Sequence, residues 1–167
     1  SRGCTFPCAF CYSTVVHKRC FRALSPEAAV ERMRGFTARY GVRGLFLSDA
    51  NFFADLDRAR AILEGVVREG LDLVFTRLHI RFDTLRRLTQ EDVRLLERAG
   101  VKCLALGVES GSPRIRTLLH KPVDEAALHE TNARFRSSSI MPMYFFKSRP
   151  PTETMDDLKA TVSLFSK

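Results

Sequence analysis

Apolar residues recur along this chain in two alternating rhythms. Val30, Met33, Phe36 and Tyr40 fall at the three- and four-residue spacing of one helix face. Ser25-Pro26-Glu27 ahead of them offers an N-cap, a first-turn proline and a first-turn acid, and Gly41 closes the segment. Residues 44–48, Gly-Leu-Phe-Leu-Ser, form a short apolar run that predicts a buried strand. The alternation then repeats. Ala59, Ile62, Leu63, Val66 and Val67 predict a helix over 56–69 that Gly70 stops. Residues 71–78, rich in Val, Phe and Thr, predict the next strand. Thr89-Gln90-Glu91-Asp92 resembles a capped helix start, and that helix runs to Ala99 before Gly100. Residues 101–108 are the most strand-like run. A short helix from Ser112-Pro113 to Leu119 follows. Another, capped by Asp124, reaches Phe135 with Leu128, Thr131 and Phe135 inward. Residues 140–146 predict a fourth strand, in which Pro142 implies an edge or a bulge because proline cannot donate to a ladder. Thr154 opens a last helix, with Leu158, Val162 and Phe165 on one face. Residues 13–24 read as a connector.

Strands that alternate with helices imply parallel pairing through right-handed helical crossovers. An open sheet and a barrel both fit. In either, ligands sit at the carboxyl ends of the strands. Ser48, Asp49, Arg81, Asp83, Glu109 and Ser110 all fall at those ends.

The strongest chemical signal lies before the first of these elements. Cys4, Cys8 and Cys11 stand in one short loop with the spacing C-x3-C-x2-C, and Phe10 precedes the third. Thiolates are soft ligands suited to iron–sulfur clusters and zinc. A ferredoxin-type [4Fe–4S] cluster takes four cysteines; three would leave one iron free to bind something else. A zinc site closed by His17 or Cys20 is the alternative. Cys103 lies in an apolar run and is expected to pack as a small hydrophobe. Cys20 has no assigned role. This thiol usage suits a reducing compartment, the cytoplasm. The 167 residues bound the chain to one domain, and no run approaches the roughly 18 apolar residues of a membrane span. A net charge of +8 admits a nucleic-acid partner. No basic run of five occurs, however, and arginines alternate with acids along the helices, so a solvated surface is the expectation.

The cysteine loop resembles that of the radical S-adenosylmethionine (radical SAM) superfamily, whose signature is C-x3-C-x-aromatic-C. The likeness extends to the core of the group often fused to a cobalamin-binding domain. Ser1-Arg2-Gly3-Cys4 with Cys8, Phe10 and Cys11 matches its cluster loop. Leu24-Ser25-Pro26-Glu27 and Tyr40-Gly41-Val42-Arg43 match its first helix. Gly107-Val108-Glu109-Ser110-Gly111-Ser112 with Lys121 matches its fourth-strand turn. Pro151-Thr152-Glu153-Thr154, followed by Asp156 and Asp157, matches its fifth-strand exit.

The resemblance implies a partial (β/α) barrel. It implies a [4Fe–4S] cluster on Cys4, Cys8 and Cys11, and reductive cleavage of S-adenosylmethionine to a 5′-deoxyadenosyl radical, followed by hydrogen abstraction or methyl transfer. Phe10 would pack near the adenine. Asp49, within Ser48-Asp49-Ala50-Asn51 where the family often has Gly-Gly-Glu, would take the amino group. Glu109 and Ser110 would meet the ribose or methionine part. Arg149 stands where the family usually has a glycine, and is expected either to crowd the pocket or to contact a substrate anion. The chain opens on Ser-Arg-Gly-Cys without a Met, so residues 1–167 are expected to be a fragment of such a core, lacking the first strand and the sixth strand–helix unit. The implied partners are a substrate, either a small molecule or a macromolecule, a flavodoxin- or ferredoxin-type reductant, and cobalamin on a domain outside this chain. No membrane is implied. The rival reading is a non-catalytic zinc or iron–sulfur module on a nucleic-acid-binding fold.

Overall fold

The computed structural model describes residues 1–166, apart from the side chain of Phe165. Four parallel strands form one sheet in the order β1-β2-β3-β4, with β1 at Gly44–Phe46, β2 at Val74–Ile80, β3 at Cys103–Glu109 and β4 at Met141–Phe146. Helices cross between them: α2 (Pro26–Tyr40) precedes β1, α3 (Leu56–Arg68) precedes β2, α4 (Phe82–Leu85) and α5 (Gln90–Arg98) precede β3, and α6 (Pro113–Leu118) and α7 (Glu125–Ala133) precede β4. Helix α8 (Met155–Phe165) follows β4. The arrangement is an open sheet matching part of a (β/α) barrel. Each expected strand is present, and Pro142 lies on the edge strand β4 opposite Leu104.

Side chains alternate across a strand, so the sheet has two faces. Leu78 and Ile80 of β2 with Leu104, Leu106 and Val108 of β3 join the main core beneath the helices. The alternate positions Arg77, His79, Ala105, Gly107 and Phe145 belong to the opposite face. Cys103 lies there too, buried, and burial pushes its thiol up from the usual range. It packs as a small hydrophobe, as expected.

The capping signals are realised. The Ser25 hydroxyl accepts from the Ala28 N–H, and Gly41 ends α2 in the left-handed conformation. Thr89–Asp92 and Thr154–Asp157 form complete capping boxes. Three short elements escaped the periodicity: α1 (Tyr12–Val16) inside the expected connector, α4, and a 3-10 turn at Phe52–Ala54. Each is too brief to show a helical repeat.

Two helix faces differ from expectation. On α2, Val30 and Met33 are buried, but Phe36 and Tyr40 stay exposed and pack on each other at 6.1 Å. On α8, the expected Leu158 and Val162 are exposed, while Asp157, Thr161 and Leu164 are buried; the Phe165 side chain lies outside the described residues. The cause is polar pairing. The Asp157 carboxylate accepts from the Ser112 hydroxyl, the Arg114 guanidinium and the Thr154 N–H, and Thr161 Oγ1 accepts from the Gly111 N–H at 2.9 Å. These bonds turn the polar face of α8 toward the turn after β3.

One partly buried ion pair ties α3 to α5. Arg60 donates through Nε to Asp92 Oδ1 at 2.7 Å and through Nη2 to Oδ2 at 2.9 Å. Arg60, seconded by the Thr89 N–H and hydroxyl, holds the Asp92 carboxyl at about 2. The folded value lies below an unfolded value of about 4, so the stabilisation is complete above pH ~4 and is lost as pH falls toward 2. Asp92→Asn is therefore expected to cost about 2 kcal/mol at pH 7, with the gap to wild type closing below pH ~4. Urea midpoints at pH 7 and pH 3 measure it; an equal gap at both would contradict the assignment.

Candidate functional site

The cysteine loop is folded over the carboxyl end of the sheet by contacts from three separate segments. Gly3 takes φ +83°, and a Cβ there would lie 2.0 Å from the Cys20 carbonyl oxygen, so only glycine lets the two ends of the loop close. Arg2 and Arg22 pair beside it through both backbone bonds. Ala9 N–H donates to the Leu119 carbonyl at 3.2 Å, which ties the loop to the end of α6. Thr14 Oγ1 donates to the Cys8 carbonyl at 3.3 Å, so α1 braces the loop from its other side.

Within this frame Cys8 is buried, Cys4 and Cys11 are partly exposed, and all five cysteines are free thiols. Arg81, directly after β2, donates Nη1–H to Cys8 Sγ at 2.8 Å. The same guanidinium lies 3.7 Å over the Phe6 ring and pairs with Asp83. Phe10 is held by cations too: Lys147 Nζ lies 4.2 Å from its ring centroid and Lys121 Nζ 5.9 Å.

Beside these groups a cavity of about 390 Å³ opens at the strand ends, lined among others by His79, Arg81, Gly107, Glu109, Lys121 and Lys147. Its wall has an unusual backbone. The β3–β4 register shifts between Gly107 and Glu109, and Glu109 sits at φ +71°, a left-handed conformation that non-glycine residues adopt at a cost. This bulge re-aims the Glu109 side chain, whose Oε1 accepts from Lys121 Nζ at 2.6 Å in a buried pair. A Cβ on Gly107 would lie 2.2 Å from that oxygen and 2.4 Å from Lys121 Nζ, so the pair occupies the space a side chain would fill. His79 stacks on Phe145 with centroids 6.5 Å apart. Burial, then the neighbouring Arg77, hold its imidazole below the usual value. Arg77 lies between the Phe46 and Phe145 rings, at 4.9 and 5.9 Å.

The structure thus brings Cys8, Phe10 and Glu109 to one end of the sheet. Asp49 is nearby, its carboxylate accepting from the Ser1 hydroxyl. Ser110 points elsewhere. It is fully buried, its hydroxyl lies 3.1 Å from Thr161 Oγ1 and accepts from the Ser112 N–H, and it does not line the cavity. Arg149 takes φ +61°, the conformation a glycine there adopts freely, while its side chain is exposed and off the cavity wall. Lys147 and Phe6 were missed by sequence reasoning. Only their flanks, an aromatic strand end and the cysteine spacing, hinted at them.

The donor set suits a cluster: three free thiols on one loop, one of them already accepting from a guanidinium. Among the described residues, no three His, Cys, Asp or Glu side chains gather where one metal ion could be held. Cys20 is exposed, its Sγ 3.6 Å from the Lys18 carbonyl. A closed zinc site built with His17 or Cys20 is not favoured. Also among the described residues, no helix is long and apolar enough to cross a membrane.

A family model described as the radical SAM superfamily matches residues 1–165. An uncharacterized methyltransferase of Pyrococcus horikoshii is 25% identical over 167 residues, which is all of this chain and 36% of that protein. The cytidylyl-2-hydroxyethylphosphonate methyltransferase of Streptomyces wedmorensis is 25% identical over 171 residues, covering 96% of this chain and 31% of that protein. The chain therefore spans about a third of the length of these relatives. Among solved structures, the radical S-adenosylmethionine methyltransferase TsrM of Kitasatospora setae, with cobalamin and a [4Fe–4S] cluster bound, matches with a TM-score of 0.80 at 17% identity, over 98% of this chain and 30% of that one. At that identity the likeness speaks for the fold.

The Glu109–Lys121 pair yields a test. Removing one partner of a buried pair strands the other, at about 3–5 kcal/mol. Lys121→Met is expected to destabilise by roughly that amount, and adding Glu109→Gln should recover a large part. Urea unfolding of the three variants measures both, and a double variant no more stable than Lys121→Met would contradict the pairing.

Proposed function

The chain belongs to the radical SAM superfamily, and from that premise we propose that it is the S-adenosylmethionine-cleaving core of a larger radical enzyme. The observation that carries the proposal is the seating of a three-cysteine loop on the strand ends, with Cys8 bonded to Arg81 and Phe10 set against Lys121 and Lys147 beside the cavity. Cys4, Cys8 and Cys11 would hold three irons of a [4Fe–4S] cluster and leave the fourth open. When bound, such a cluster would supply the one electron for reductive cleavage of the S-adenosylmethionine sulfonium to the 5′-deoxyadenosyl radical and methionine, or would support methyl transfer.

The chain's own residues bind and orient. Phe10 offers a flat apolar face for the adenine. Glu109, pre-aimed by its bulge and paired to Lys121, can accept from the ribose hydroxyls or the ammonium of the methionine part. Asp49, beyond the end of β1, would take an amino group of the cofactor as the resemblance implies. Ser110 would act by shaping the turn that carries Glu109, since its hydroxyl is engaged with Thr161 and the Ser112 N–H. The relatives are methyltransferases by name and TsrM holds cobalamin, which supports methyl transfer with cobalamin supplied from outside these residues. The electron would come from a flavodoxin- or ferredoxin-type protein, in the cytoplasm, where free thiols persist.

Anaerobic reconstitution with iron and sulfide is expected to give a brown protein. Cys4→Ala, Cys8→Ala or Cys11→Ala should each abolish the cluster, and Cys20→Ala and Cys103→Ala should not. Loss of metal in Cys20→Ala as complete as in Cys8→Ala would sink the three-ligand site. In cluster-loaded protein, Glu109→Gln and Asp49→Asn should each weaken S-adenosylmethionine binding by about 10- to 150-fold, the worth of one charge-assisted hydrogen bond. Unchanged binding in both would remove these residues from the site.

A further inference from the structure

We propose that Arg81 is a positioning residue that raises the reduction potential of the cluster by acting through the Cys8 sulfur. The inference rests on the cluster reading above and adds a role for a residue outside the ligand set.

The geometry around Arg81 is over-determined for a side chain that only packs. Residue 81 is 8% exposed, and Cys8 is the buried one of the three loop cysteines. All three nitrogens of the guanidinium are used. Nη1 donates to Cys8 Sγ at 2.8 Å, while Nε and Nη2 both donate to Asp83 Oδ2, at 3.2 and 2.9 Å. The plane is clamped by the Phe6 ring at 3.7 Å. Asp83 and Phe6 therefore hold the fork so that one N–H is aimed at a single sulfur. A planar fork with fixed donors suits this task, whereas an ammonium would act as a point charge.

The consequence is electrostatic. Reduction adds one electron from an external low-potential donor and takes up no proton, so the reduced cluster carries one more negative charge. A cation donating to a cluster thiolate stabilises that extra charge, and hydrogen bonds to cluster sulfurs are among the factors that set potentials. Asp83 opposes the effect. Its side chain is 39% exposed against 10% for Arg81, however, so water screens it more, and the cation is the group in contact with the sulfur. The net influence is positive, and the cluster becomes easier to reduce.

The test is a redox titration with dithionite on anaerobically reconstituted protein, read by the electron paramagnetic resonance signal of the reduced cluster. Arg81→Gln is expected to lower the one-electron reduction constant about tenfold, a midpoint some 59 mV more negative. Arg81→Lys, which keeps the charge, should recover part of the loss. Asp83→Asn removes the opposing anion and should shift the midpoint the other way. A cluster-loaded Arg81→Gln protein with the wild-type midpoint overturns the proposal, and so do downward shifts in both the Arg81 and Asp83 variants. If Arg81→Gln assembles no cluster, Asp83→Asn decides: a rise supports the role, and no change or a fall overturns it. Failure of the wild-type protein to assemble any cluster is a different result, and sinks the reading of the site itself.

Discussion

A short loop rich in cysteine has no core of its own, so something outside it must fix its position. Here cations set against soft, polarisable partners do so. Arg81 meets a sulfur and the Phe6 ring, and Lys121 and Lys147 meet the Phe10 ring. Arg81 and Lys147 directly follow β2 and β4, and Lys121 comes from the loop after α6. The sheet therefore dictates where the cysteines sit, and a change in strand register would move the loop with it. The aromatic and sulfur partners supplement the carboxylates of Asp83 and Glu109, which pair with Arg81 and Lys121.

The bulge at the end of β3 is the second fixed point. Parallel ladders space their bonds evenly, and a regular continuation would alternate Glu109 with its neighbours across the sheet. The register shift and the positive φ of Glu109 break that alternation. Strain of this kind persists only where the surroundings over-determine it. They do so here: Lys121 grips the carboxylate, the Glu109 carbonyl accepts from Lys147 N–H at 2.8 Å, and Gly107 leaves the room. The same turn continues into Ser110, Gly111 and Ser112, whose polar groups bond to α8. The helix beyond β4 thus buttresses the wall of the cavity.

Much of the architecture was legible in the amino-acid order. Four apolar runs separated by helical periodicities specify four parallel strands, because each rhythm is a local property of backbone geometry. That β2 and β3 carry the buried positions while β1 and β4 are half-buried or exposed was not in the pattern. Capping boxes at Thr89 and Thr154, the stop at Gly41 and the edge position of Pro142 are local too. So is the cysteine spacing, which with Phe10 was enough to name the family.

What the order of residues did not contain was direction. The face of α8 was misread because apolar Leu158 and Val162 were weighed by hydrophobicity alone. Bonds from Asp157 and Thr161 to the turn after β3 oriented the helix instead, across about fifty residues of sequence. Ser110 looked like a cavity residue by position, and the bulge that re-aims Glu109 leaves the Ser110 hydroxyl to α8. Arg81 was one polar residue among several at a strand end until folding set it against Cys8, 73 residues away. Local periodicity determines which elements form. Long-range hydrogen bonds and ion pairs, which leave no periodic trace in the chain, decide which side chains face the site.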